Sequence, residues 1–223
     1  MHAILIPAYN EAESLPRVLE GCQNWAYETP IVVVDNGSSD ETAFVAKSCG
    51  AIVLHCPTKG YANALKHGYH WAMENGVNAL VQLDADGQHP PHSIPALFEC
   101  IKTCDWIIGS RQGLGCVGAL ERRLASAAVG PYIRHLLRTQ IRDWSSGLWG
   151  LNRAALSFLY QTFPQPVTDA NIRIMAIKSG LQVSEHPVAM FDRHSGQSMH
   201  DGFKGAVNLA KSAWYAGLAL RLP

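Results

Sequence analysis

Two aspartates at the end of an apolar run carry the clearest chemical signal in the chain. In ALVQLDADGQHPP, residues 79–91, Asp84 and Asp86 are separated by Ala85 alone and followed by Gln88. Carboxylates at i and i+2 of an extended strand point the same way, so both can approach one cation. Mg²⁺ and Mn²⁺ favour hard oxygen ligands, commonly one or two carboxylates completed by phosphate oxygens and water. A cation held there neutralises charge on a departing diphosphate and so makes it a better leaving group. A bare DxD arises often by chance, and Asp and Gly are also ordinary turn residues. The weight of the reading therefore depends on what stands at the other strand ends.

The elements that must position these residues are legible in the first half. AILIP, IVVVD, AIVLH, ALVQLD and DWIIGS are short apolar runs rich in branched residues, with helix-like segments between them. That alternation predicts an α/β fold with a mostly parallel central sheet and helices on both faces. In such sheets ligands bind beyond the carboxyl ends of the strands. The first run ends in Pro7, Tyr9, Asn10 and Glu11, and the second in Asp35, Asn36, Gly37 and Ser38. The fourth ends in Asp84, Asp86 and Gln88, and the fifth in Gly109, Ser110 and Arg111. Four polar endings along one sheet edge read as a site.

Other residues have plainer explanations beside the chemical one. Tyr9 can pack, although its place after a strand favours a ligand contact. Gly37 reads as a backbone requirement of its turn. Lys59, before Gly60, is equally a surface charge or a phosphate contact. His89 and His92 sit among prolines and read as loop residues, and Trp144, Trp149 and Trp214 as packing. Ser14 is expected to cap a helix that tolerates Pro16 in its first turn. Serines and acids in SSDETAFVAKSCG suit the start of another, closed by Gly50. Gly76 closes a third, and Thr168 and Gly180 bracket a fourth.

Composition narrows the class of protein. The 223 residues suit one sizeable domain. Eighteen Lys and Arg balance eighteen Asp and Glu, so no basic field argues for a nucleic-acid partner. The six cysteines form no CxxC pair and are expected to be free thiols in a reducing cytosol. MHAILIPAYN has no cationic leader, and no apolar stretch is long enough to span a bilayer. The expectation is a cytoplasmic protein. Residues 112–142 carry five arginines against one acid, Glu121. Within 131–142, Ile133, Leu137 and Ile141 form one stripe and Arg134, Arg138 and Arg142 the next. This segment is either an ordinary surface helix or a basic amphipathic helix on an anionic membrane surface.

IPAYNEAESLP, VVVDNGSSDET, LDADGQHPP, GSR, DWSSGLWGLNR and EHPVAMFDRHSGQS occur in the order and spacing of family-2 glycosyltransferases. The chain most resembles the dolichol- and polyprenyl-phosphate mannosyl- and glucosyltransferases, over nearly its whole length. The resemblance implies a GT-A fold as one domain, residues 1–223. Residues 1–111 would be the nucleotide-sugar half and residues 112–223 the acceptor half. It implies a GDP- or UDP-hexose donor, Mg²⁺ or Mn²⁺, and a lipid-phosphate acceptor at a membrane surface. By matching position, Pro7, Tyr9, Glu11 and Asp35 hold the nucleoside. Asp84 and Asp86 bind metal and diphosphate, with Ala85 and Gln88 alongside and Gln88 in the metal set. Arg111 and Arg193 meet phosphate or sugar charge, and Lys59 joins the donor set.

The residues expected to act in catalysis are Asp86, Asp143, Asp169 and Arg193. An anionic lipid phosphate needs no protein base, so positioning and leaving-group stabilisation suffice. A hydroxyl acceptor would need one, and Asp143 or Asp169 is the candidate; each could equally be a cap or a helix-start acid. The chain departs from the pattern at RHSGQSM, where Met199 stands in place of a lysine expected at the donor diphosphate. His194, His200 or Lys59 could substitute. It also lacks the C-terminal membrane spans that some relatives carry. A hydroxyl-acceptor transferase and a sugar-nucleotide-binding protein without turnover remain the alternatives. A sugar nucleotidyltransferase would need an early Gly-rich phosphate loop that the chain does not have.

Overall fold

The structure is a computed structural model that describes residues 1–111, 134–163 and 169–191. Ile133, Arg193, His194, Met199, His200 and Trp214 lie outside the described residues.

Chain order runs β1 (His2–Ala8), α1 (Leu15–Trp25), β2 (Ile31–Asp35), α2 (Thr42–Ser48), β3 (Ile52–His55), α3 (Tyr61–Glu74) and β4 (Ala79–Gln82). It continues through α4 (Ile94–Cys100), β5 (Trp106–Ser110), β6 (Trp149–Asn152), α5 (Arg153–Thr162), α6 (Asp169–Lys178) and β7 (Val183–Pro187). The seven strands form one sheet in the order β3-β2-β1-β4-β6-β5-β7. β1 pairs in parallel with β2 and β4, β2 with β3, and β5 with β7. β6 runs antiparallel between β4 and β5. The mostly parallel sheet matches the pattern of apolar runs; β6, in DWSSGLWGLNR, was read there as motif rather than as strand.

Alternation along the strands builds two cores. Ala3, Leu5, Val32 and Val34 face α3, α5 and α6, through Tyr69, Leu156 and Ile172. Ile4, Ile6, Ile31 and Val33 face α1, α2 and α4, through Leu19, Ala46 and Leu97. Strands apolar on both faces must be covered on both, which is why helices flank the sheet on each side. The result gathers the carboxyl ends of the parallel strands on one edge.

Helix ends differ in detail from expectation. Ser14 precedes α1 without a side-chain cap; its hydroxyl donates instead to Glu11 Oε2 at 2.6 Å. α2 begins at Thr42, whose main-chain N–H donates to Asp40 Oδ1 at 3.0 Å, so Asp40 does what the serines were expected to do. Gly50, Gly76 and Gly180 all take positive φ just past their helices, as C-terminal stops do.

The expected helix over 131–142 does not run its length among the described residues. Residues 134–137 are helical, then Arg138 takes a φ of 51°. Ile141 is buried against the core rather than on an exposed stripe. An apolar residue that finds a core partner cannot also face a membrane, so the apolar half of the stripe fails there. Leu136, half exposed, and the exposed Arg138 and Arg142 remain at the surface.

Five cysteines, Cys22, Cys49, Cys56, Cys100 and Cys104, are free thiols. Burial pushes the Cys22 thiol up to about 12. Among the described residues no helix is long and apolar enough to cross a membrane.

Candidate active site

The sheet register brings the strand endings together. Ala8 stands opposite Asp35, and Leu83 N–H donates to Leu5 O at 3.1 Å, which carries the β1–β4 pairing to the threshold of Asp84. Pro7 is buried within β1, opposite Val34. After β2 the chain turns sharply. Asp35 Oδ1 accepts Ser38 N–H at 3.1 Å, and Gly37 adopts a φ of +75° that side chains rarely tolerate. The turn is tied to its neighbours through two asparagines. Asn10 Oδ1 accepts Ser39 N–H at 2.8 Å, and Asn36 Oδ1 accepts Gly60 N–H at 2.8 Å. Loops from three strands are thereby locked into one rim.

That rim carries residues suited to a nucleoside. Asp35 is buried, with Oδ2 3.4 Å from Nδ1 of the exposed His55. Tyr9 keeps 49% of its surface exposed, and Lys59 Nζ lies 5.6 Å from its ring centroid. Lys59 also packs across the open face of Gly37. Glu11 is bonded to Ser14 at the start of α1. An exposed aromatic ring beside buried and half-buried carboxylates suits a planar base and a ribose.

Asp84 and Asp86 follow β4. Asp86 is buried, and its Oδ1 accepts Gln88 N–H at 3.0 Å, closing the turn at Gly87. Phe191 N–H donates to Gln88 O at 2.9 Å and holds the turn from the far side. The Asp84 side chain is 33% exposed. Its main-chain N–H donates to Nδ1 of the buried His89 at 2.9 Å. Tyr61 Oη donates to Asp84 Oδ1 at 3.4 Å. Two hard carboxylates, one of them open to solvent, fit a divalent cation whose other ligands are phosphate oxygens and water. No group of three His, Cys, Asp or Glu side chains suited to a metal occurs among the described residues. Carboxylate oxygens are the donors that Mg²⁺ and Mn²⁺ favour.

Opposite Asp84 stands the loop leading into β6. A Cβ on Gly147 would lie 3.0 Å from Asp84 Oδ2 and 3.4 Å from His89 Cε1. A side chain there would press on the carboxylate. Gly147 is held by a buried polar chain: its carbonyl accepts Gln82 Nε2 at 3.1 Å, and Gln82 Oε1 accepts the Tyr69 hydroxyl. Arg173, fully buried on α6, donates to the carbonyls of Asp143 and Ser146 and lies 5.1 Å from the Trp149 ring. These anchors explain why a loop of small residues keeps a fixed shape.

Arg111 and Asp143, both expected at the site, pair with each other. Arg111, expected to meet phosphate or sugar, donates from Nε and Nη2 to the two oxygens of Asp143 at 2.9 and 2.7 Å. Nη2 also donates to Ser145 Oγ at 2.7 Å. Asp143, a candidate base, is 4% exposed. Burial pushes its carboxyl up, but hydrogen bonds and charge from Arg111 outweigh that and hold it at about 2. A carboxylate so acidic, with both oxygens engaged, is a strut and a poor proton acceptor. Its pair with Arg111 ties the end of β5 to the 143–147 loop. Asp169 opens α6.

The sequence reading missed His89, Gly147, Gln82, Tyr69 and Arg173. A glutamine inside ALVQLD was the available signal, because a buried amide must find partners.

Residues 3–159 match glycosyl transferase family 2. An undecaprenyl-phosphate mannosyltransferase of Micrococcus luteus is 32% identical, over 97% of this chain and 94% of its own. A polyprenol monophosphomannose synthase of Mycolicibacterium smegmatis is 30% identical, over 89% of this chain and 80% of its own. Glucosyl-3-phosphoglycerate synthase from Mycobacterium tuberculosis, solved with Mn²⁺, UDP-glucose and phosphoglyceric acid, superposes with a TM-score of 0.75. That match covers 100% of this chain and 80% of the other at 15% identity, a likeness of fold.

Proposed function

This chain belongs to glycosyl transferase family 2, and from that premise we propose that it moves a hexose from a nucleotide sugar to a polyprenyl phosphate. The observation that carries the proposal is the strand-end pair Asp84 and Asp86, with Asp84 open to solvent. It stands in a chain similar along nearly its full length to a lipid-phosphate mannosyltransferase. The fold is the GT-A arrangement.

Tyr9, Glu11, Asp35 and Lys59 line the rim that receives the nucleoside, and Asp84, Asp86 and Gln88 face the diphosphate. Mg²⁺ or Mn²⁺ held by these carboxylates would neutralise the negative charge that builds on the departing nucleoside diphosphate. The acceptor oxygen attacks the anomeric carbon from the opposite side, inverting it. A phosphate acceptor is already anionic, so the protein's part is to align reactants and favour the leaving group. The state of Asp143 supports that reading: one of the two acids that could serve as base is locked to Arg111. Asp169 keeps its place as a candidate base for a hydroxyl acceptor, and Arg193 its place at phosphate or sugar charge on the strength of the family pattern.

We place the protein on the cytoplasmic membrane surface as a peripheral enzyme. Arg134, Arg138 and Arg142, with Leu136 beside them, would face anionic headgroups. Each arginine contributes about 1 kcal/mol at such a surface. Screening GDP- and UDP-hexoses against extracted polyprenyl phosphates, with products read by mass, tests the proposal. A product one hexose heavier than the lipid phosphate supports it. Transfer only to hydroxyl acceptors, or donor binding without turnover, overturns it.

A further inference from the structure

His89 is buried, with 7% of its surface exposed, and both of its ring nitrogens face one residue. Nδ1 accepts the main-chain N–H of Asp84 at 2.9 Å. Nε2 lies 3.7 Å from Asp84 Oδ2, within ion-pair range though longer than a formed hydrogen bond. A ring nitrogen that accepts an N–H has no proton of its own, so in the neutral ring the proton sits on Nε2. The tautomer is thus set by the backbone, and it directs an N–H toward the carboxylate.

The ring itself is firmly placed. His89 precedes Pro90, which biases its backbone toward extended conformations. Ser93 Oγ closes the following turn on Pro90 O at 2.7 Å. On the other side Gly147 stands close, where a Cβ would lie 3.0 Å from Asp84 Oδ2. A third-exposed aspartate would otherwise sample several rotamers. Here its main chain and its side chain meet the two nitrogens of one rigid ring.

We infer that His89 is a positioning residue, holding Asp84 in the orientation from which its carboxylate meets the divalent cation and donor diphosphate. The inference rests on the reading of Asp84 given under Proposed function. It assigns His89 no contact with substrate. Groups that orient ligating carboxylates typically change metal affinity or activity about 10–100-fold when removed.

The tautomer is read on the wild-type chain from ¹⁵N correlation spectra of the histidine rings near neutral pH. The His89 signals are identified by their absence from the spectrum of His89→Asn. An imine-type Nδ1 with a pyrrole-type Nε2 is expected, and the reverse assignment overturns the inference. Mn²⁺ binding is then followed by electron paramagnetic resonance with UDP and, separately, with GDP. The chains compared are wild type, Asp84→Asn, His89→Asn and His89→Gln. His89→Asn keeps an acceptor for the Asp84 amide, so it should stay folded by circular dichroism while Mn²⁺ affinity falls about tenfold. His89→Gln keeps a donor toward the carboxylate and should retain more of the affinity. If folded His89→Asn binds Mn²⁺ like wild type while Asp84→Asn does not, the role of His89 is wrong and the reading of Asp84 stands. If Asp84→Asn also binds like wild type, the reading of Asp84 falls and the inference with it.

Discussion

Replacing Asp143 by Asn tests whether the Arg111 pair holds the 143–147 loop. The carboxyl is held at about 2 against an ordinary 3.8. A difference of roughly 1.8 units, at about 1.4 kcal/mol per unit, gives ~2 kcal/mol of folding stability at neutral pH. The sign follows from the direction of the shift. Because the folded-state value is depressed, the contribution is complete above the unfolded value and fades as pH falls toward the folded one. About half should be gone near pH 3, and nearly all below pH 2. Asn is close to the protonated acid in shape and charge, so wild type and Asp143→Asn should converge in acid. Urea unfolding of both chains at several pH values between 7 and 3 measures the gap. A gap that does not change with pH would refute the argument, since loss of packing alone carries no such dependence. A wild type no more stable than the variant at pH 7 would do so too.

Three further outcomes follow from the same geometry. Gly147→Ala should fold with a stability loss of about 1–3 kcal/mol, as overpacking does, yet lose about tenfold in kcat/KM because its Cβ displaces the Asp84 carboxylate. Wild-type kinetics in this variant would show that Asp84 is free to move without consequence. Asp35→Ala should raise the donor KM more than it lowers kcat, the pattern of lost ground-state binding; unchanged donor affinity by calorimetry would put the nucleoside elsewhere. Changing Arg134, Arg138 and Arg142 together to Gln should abolish sedimentation with anionic liposomes at low salt, where screening is weakest, and sedimentation equal to wild type would remove these arginines from membrane attachment.

β1 and β2 were legible because they are buried on both faces and therefore apolar without interruption, as in AILIP and IVVVD. The strand-end residues were legible because a parallel sheet gathers its carboxyl ends on one edge, and Asp35, Asp84 and Asp86 stand there. Pairings formed over long sequence separations were not legible. Arg111 lies 32 residues from Asp143 in the chain, and neither residue type announces whether it will meet a ligand or the other. Gln82 meets Gly147 across 65 residues, with no local periodicity to mark it. His89 looked like a loop residue because prolines surround it, whereas those prolines stiffen the support for a buried ring. The 131–142 stripe misled because apolar spacing says which residues share a face, not whether the core or a membrane covers it. Ile141 found the core.

The central claim is that Asp84 and Asp86 serve hexose transfer to a lipid phosphate. Labelled GDP- and UDP-hexoses incubated with a polyprenyl phosphate, in Mn²⁺ or in chelator, test it most directly. The account predicts a polyprenyl phosphohexose of inverted anomeric configuration, formed by wild type in Mn²⁺. It predicts loss of that product in chelator and in a folded Asp86→Ala chain. Undiminished transfer by Asp86→Ala in chelator, or no transfer to lipid phosphate under any donor, would contradict it.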